Sequence, residues 1–485
     1  MKAKLETQAA VRRLRLFVVT SGLAVAVIFL VLGTATRLEM YGDGSIFSYS
    51  VAAQEAWTFH WHNISDRLFT YIFAYVLPEQ IVALTSSARA GITAYGLLFF
   101  SAPLLGLLLT FAADRSRGRV VFTYACASTA ILCPLVFGAP TEMWMAHALF
   151  WPALALCIRA PSSPRSAILV CLALLALVFT HEGAVVLAIS ILLALFIRGG
   201  RDAIFLRAGT AFFLAMLVWA LVKLTIRPDP YIAEVIAAAA FRFIDIDNLA
   251  QPAFLTLIAA LAAYSAVSVL LRRLGVAHAY VYAALICALL LAVFWLRFDR
   301  WLLAEARYDL RTVLLIVIPP LGVLATLQTM PSDQWARAPL PFIGRWFDRI
   351  QCFASPAALA GALALVLLVH AVETAKFIYE WIEYKSAVRT LATGSASDPE
   401  LGSPLFVSSQ RIPADLNRLA WNSTTPFLSV LVAPEFKPAR LVVDPTAGYF
   451  WLSCQTAKRS EAESRALPEE ARRLIRVHAC LHRPD

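Results

Sequence analysis

The motif YGDG places Asp43 between Gly42 and Gly44, directly after a long apolar run. Glycines on both sides let backbone approach a ligand closely, and a carboxylate there can take or position a proton. The same DG pair also marks an ordinary solvated turn. Glu39 stands four residues earlier as a companion carboxylate. In GAPTEMW, Glu142 is either a second acidic group of a site or the first-turn Glu of a helix that follows Thr141. HEG puts His181 and Glu182 in the middle of an apolar stretch, where they can bind ligand hydroxyls or a metal. One His and one Glu are too few to fix a metal alone, so the metal stays unknown, and the polar tip of a tight hairpin needs no function. RFDRWLLAEARYDLR gathers Arg297, Arg300, Arg307 and Arg311. The planar guanidinium fork suits phosphate, although Asp299, Glu305 and Asp309 in the same stretch, or lipid headgroups, can occupy these arginines instead. Weaker patterns are set aside: the DxD spacing of Asp245 and Asp247, the HWH pair His60 and His62 read as headgroup-layer residues, and the sequons at Asn63 and Asn422.

These residues must be held by membrane helices. Of 485 residues, 60% are hydrophobic and 15% charged, with mean hydropathy +0.70; a typical soluble domain has about 45–50% apolar and about 25% charged residues. An ordinary soluble enzyme is excluded. Crossing about 30 Å of hydrocarbon takes roughly 20 helical residues. Apolar segments at 16–36, 90–111, 120–138, 144–160, 166–180, 183–198, 208–226, 253–271, 277–296, 312–328 and 355–375 predict about eleven transmembrane helices. The division is a cytoplasmic N-terminus (1–15), a transmembrane domain (16–375) holding a long outer loop (37–90), and an extracytoplasmic C-terminal domain (376–485). Within the outer loop, Ile46 to Trp57 reads as one interfacial helix, and 68–84, broken by Pro78, as a re-entrant or surface helix. The tail mixes short apolar runs (LFVSS, FLSVLVA, RLVVD, YFWLS) with helical segments, as a small α/β domain would. If that tail lies outside, Cys454 and Cys480 can be bridged, closing a loop worth roughly 3 kcal/mol.

Loop charge orients these elements. Loops assigned to the cytoplasm carry eighteen basic residues, and the opposite loops before the tail carry nine over more residues. The overall +10 charge therefore has a topological cause, and with no basic stripe interleaved with aromatics, nucleic acid is not an expected partner. Acidic residues, Asp43, Glu142 and Glu182 among them, gather on the outer side. The positive-inside rule does not explain that bias, but a working face turned outward does.

A first span, a long outer loop with an acidic residue near its start, roughly eleven spans and an outward soluble tail together resemble the GT-C superfamily of membrane glycosyltransferases. The resemblance implies sugar transfer from a polyprenyl-phosphate-linked donor to a lipid, glycan or protein acceptor of the cell envelope. It places the enzyme in the bacterial inner membrane with a periplasmic C-terminal domain. Asp43 matches the carboxylate of the first outer loop and would serve as catalytic base or acceptor-positioning group. Glu39, Glu142, His181, Glu182, Arg300, Arg307 and Arg311 would be substrate-binding residues. Many members carry adjacent acidic residues in that loop, whereas Asp43 stands alone. No cofactor is certain, and a divalent cation (Mg or Mn) is the one left open. The rival readings are a transporter or flippase of a lipid-linked or anionic substrate, and a noncatalytic membrane assembly protein.

Overall fold

The computed structural model describes residues 2–135, 141–158, 164–226, 251–298, 317–330, 342, 355–394, 406–421 and 424–444. It is a helical membrane-type protein. Each of the eleven apolar segments contains a helix, because runs of Leu, Ala, Val and Phe satisfy nearly every backbone group internally, as lipid demands, with Pro103 and Pro152 tolerated inside two of them. Six of these helices are long and apolar enough to cross a bilayer. They are α1 (Lys2–Ala35, its apolar part from Gln8), α6 (Ala88–Ala113), α11 (Ala203–Thr225), α12 (Pro252–Arg273), α13 (Ala279–Arg297) and α15 (Pro356–Thr393). The shorter apolar helices are α7 (Val120–Leu132), α8 (Glu142–Ile158), α9 (Pro164–Val178), α10 (Ala184–Gly199) and α14 (Ile318–Gln328).

Residues 36–87 form a compact insert. After a 3-10 turn (Leu38–Met40) come α2 (Asp43–Ala52), α3 (Ala56–Asn63), a second 3-10 turn (Ser65–Arg67), α4 (Leu68–Ala74) and α5 (Val76–Thr85), the last two helices bent by 41°. The insert leaves and returns at one end of the bundle. Phe29 of α1 meets Phe100 of α6 edge-on, while Arg37 donates to the Thr93 hydroxyl, so α1 and α6 run antiparallel and the end of one lies beside the start of the other.

Two sequence expectations are corrected within the insert. The single interfacial helix over 46–57 is instead the pair α2 and α3, because Gln54 takes a left-handed conformation (φ 57°) that stops α2. Nor does α2 lie at a lipid surface. Its serines look like a polar face but are satisfied internally: Ser45 donates to the Gly42 and Thr424 carbonyls, Ser48 to that of Glu39 and Ser50 to that of Phe47. The helix is therefore free to be buried on all sides.

The C-terminal region also differs from its sequence reading. Helix α15 runs unbroken through residue 376, where the tail was expected to begin, carrying Trp381, Tyr384 and Val388 into the same core. Beyond it, β1 (Phe406–Ser408) pairs in parallel with β2 (Leu441–Val443), and α16 (Ala414–Asn417) and α17 (Thr425–Val432) lie between them in sequence. FLSVLVA is α17, a helix whose Phe427 packs edge-on against Tyr49 of α2. Cys454 and Cys480 lie outside the described residues.

Candidate functional site

The turn from α1 into α2 places the first carboxylates. Gly42 has φ 56° and ψ −133°, a conformation closed to side chains. A Cβ on Gly44 would lie 2.3 Å from the Glu39 carbonyl oxygen. The two glycines thus serve the fold, turning the chain so tightly that Asp43 becomes the first residue of α2, where a helix N-terminus favours negative charge. From Leu38 to Ala53 every residue is buried except Asp43, which is partly exposed.

Glu39 is the buried counterpart, 1% exposed, with its carboxyl against Gly96 of α6. Arg37 Nε is 3.0 Å from its Oε1, an ion pair without the alignment of a hydrogen bond. Burial pushes the Glu39 carboxyl up to about 7, against the lowering influence of Arg37, its own backbone N–H and Lys385. Half of this group is therefore protonated near neutral pH.

A second cluster forms around Arg67, a residue that the sequence reading counted only as a loop charge. Its guanidinium lies 3.2 Å from Glu142 Oε1 and 3.0 Å from Glu182 Oε2. The insert is clipped there to the turn between α9 and α10: Phe69 N–H donates to the Phe179 carbonyl and the Thr70 hydroxyl to that of Thr180. Glu142 starts α8 behind Thr141, whose hydroxyl accepts the Met143 N–H, and its carboxylate faces the Arg67 guanidinium. His181 is less engaged with Glu182 than their adjacency suggests. Its Nδ1 accepts the Gly183 N–H and so carries no proton, which makes the 3.4 Å approach to Glu182 a contact rather than a hydrogen bond.

Between these clusters lies a seam of buried aromatic and polar groups. Tyr75 and Tyr95 stack with centroids 5.0 Å apart, and His60 sits 4.5 Å from Tyr75. The Tyr95 hydroxyl is within electrostatic reach of Glu39, Asp43 and Glu142, joining the two carboxylate groups. His60 Nδ1 faces the Ala56 carbonyl, an acceptor only, so Nδ1 holds the proton and Nε2 is a bare acceptor. Burial lowers the His60 pKa to about 4, outweighing its bond to Ala56 and the charge of Glu142, and the ring is neutral at pH 7. The hydroxyls of Tyr75 and Tyr95 face each other, and the Nε2 of His60 has no aligned hydrogen-bond partner among the described residues. His60 is therefore a fully buried member of the seam.

The structure thus brings Asp43 and Glu39 together on one side of the seam, and Glu142, His181 and Glu182 together around Arg67 on the other. Arg300, Arg307 and Arg311 lie outside the described residues. No protein family, curated protein or solved structure matches this chain. Among the described residues no group of three His, Cys, Asp or Glu side chains is placed to hold a metal ion. Chemically, the arrangement offers two partly exposed carboxylates, Asp43 on one side and Glu182 on the other, with a buried neutral imidazole and two tyrosine hydroxyls between them.

Proposed function

We propose that the protein is an integral membrane glycosyltransferase of GT-C type, moving a sugar from a polyprenyl-phosphate-linked donor to a cell-envelope acceptor at the outer face of the membrane. The observation that carries this reading is the accessibility of Asp43 alone within a sealed segment, beside buried hydroxyl and imidazole groups suited to a polyhydroxylated ligand. In the reaction, an acceptor hydroxyl oxygen attacks the anomeric carbon while the bond from that carbon to the phosphate oxygen breaks. Asp43 takes the hydroxyl proton, and the lipid phosphate leaves with the bonding electrons. Arg307 and Arg311 would stabilise that departing charge. The count of eleven spans, the outward C-terminal domain and the bacterial inner membrane belong to the same proposal.

The test is transfer of radiolabelled sugar from polyprenyl-phosphate donors by protein reconstituted in proteoliposomes. Asp43→Asn should lower turnover by about 10²–10⁴-fold, the usual contribution of a general base, with an unchanged melting temperature. Unchanged turnover in that variant removes Asp43 as the base. Movement of labelled lipid between leaflets without sugar transfer would favour a flippase.

A further inference from the structure

Away from Asp43, a cavity of about 850 Å³ opens along the membrane-facing side between α1 and α15, backed by the end of α7. Ala24, Ile28 and Leu32 line it from α1, Leu135 from behind, and Ala371 and Thr374 from α15. Of its few polar groups, the Thr20 hydroxyl donates to its own helix and the ring of His370 bonds the Ile131 carbonyl, while Ser21 and Thr374 add two hydroxyls to an otherwise apolar wall. Such walls favour hydrocarbon.

The groove's far end has the opposite character. The face of α15 that carries the lining positions 367, 371 and 375 continues at helical spacing through 378 and 382 to Lys385. Lys385 stands about 16 Å beyond Thr374 at 1.5 Å per residue. Its ammonium lies in the cleft where α1 ends, donating one of three N–H groups to the Thr36 carbonyl at 2.8 Å. Arg37 is the next residue, its side chain one quarter exposed and its Nε 3.0 Å from the buried Glu39 carboxyl, which Lys385 also faces. Two cations against one carboxyl leave net positive charge at the end of a hydrocarbon-lined groove, which complements an anionic lipid.

The geometry points to a binding site for an anionic membrane phospholipid, with an acyl chain in the α1–α15 groove and its phosphate at Lys385 and Arg37. A bilayer phospholipid suits the site better than a polyprenyl-phosphate substrate. Where the turn that carries Asp43 meets α15, the buried rings of Tyr41, Phe377 and Trp381 pack edge to face and separate the groove from that carboxylate. The lipid would tie the first helix to the last and steady the turn that begins at Thr36. This site is independent of the transferase reading and stands or falls without it.

Native mass spectrometry of the full chain, released from nanodiscs of equimolar phosphatidylglycerol and phosphatidylcholine, tests the proposal. One tightly held phosphatidylglycerol is expected, with Lys385→Gln weakening its retention by about fivefold, the worth of one basic residue beside an anionic lipid. Ala371→Trp, which fills the groove from an exposed wall position, should abolish retention while leaving the protein monodisperse. Ala24→Phe provides a second obstruction from the other wall should Ala371→Trp fail to fold. Equal retention of both lipids, or phosphatidylglycerol still held by the obstructed variants, would overturn the site. Displacement of phosphatidylglycerol by added undecaprenyl phosphate at equal concentration would overturn the choice of a phospholipid.

Discussion

Two regions of this molecule follow opposite rules. In α6, against which the insert packs, half of the most apolar stretch is buried inside the protein; in α11 the figure is 17%, and in α12 and α13 it is 22%. The side of the bundle formed by α11 to α13 presents Phe213, Leu217, Leu285 and Leu289 outward. The insert side buries Glu39, His60 and Glu142 together with tyrosine hydroxyls. Lipid rewards the first arrangement at no cost. The second costs desolvation at each group and persists only where charges are paired or where a ligand supplies missing bonds. The contrast sets an insert rich in buried polar groups against a periphery of outward-facing apolar side chains.

The largest expected effect that sharpens this contrast is Arg67→Ala. It leaves Glu142 and Glu182 without the guanidinium between them, and breaking a buried pair of this kind typically costs about 3–5 kcal/mol. A thermal melt in detergent should fall steeply, and a shift within error would show that the cluster is solvated. Next is Gly44→Ala, whose new methyl meets the Glu39 carbonyl oxygen at 2.3 Å. Forcing the turn open should cost about 1–3 kcal/mol and, by moving Asp43 about 1 Å, lower turnover by about 10²-fold. Wild-type turnover in that variant would mean that the turn does not set the geometry of the site.

Glu39 gives a smaller, pH-dependent effect. Its folded pKa of about 7 exceeds the ordinary 4.5. The folded state therefore holds this proton more tightly than the unfolded state does. The corresponding stability is fully present below pH 4.5 and is lost as pH rises through about 7. Melting temperatures from pH 5 to 8 should decline in the wild type and flatten in Glu39→Gln; parallel curves would place Glu39 in water. Smallest of all is Leu217→Ala on α11, where a half-exposed side chain faces lipid. A change beyond about 0.5 kcal/mol would reveal a packing partner on the face assigned to the bilayer.

The helical segments were legible because apolar length reports the solvent, and lipid leaves the backbone only one economical conformation there. The neighbourhood of Asp43 was legible too, since a carboxylate between glycines after a span must sit in a tight turn. Pairing was not. Arg67 lies 115 residues from Glu182, and no local spacing joins them. The one available signal is an arginine in the long loop that follows the first span. The serines of α2 misled the pattern because periodicity reads hydroxyls as water-facing, whereas here they close onto backbone carbonyls. Continuity of α15 past residue 376 was equally hidden. Its sequence changes from apolar to amphipathic when its surroundings change, while its backbone does not.

The central claim is that Asp43 faces a lipid-linked donor, and a structure in nanodiscs with native lipids tests it most directly. The account predicts elongated density ending in a phosphate within hydrogen-bond reach of Arg307 or Arg311, in a cavity that opens toward Asp43. A cavity running across the membrane midplane, with no headgroup near Asp43, would contradict it and favour transport.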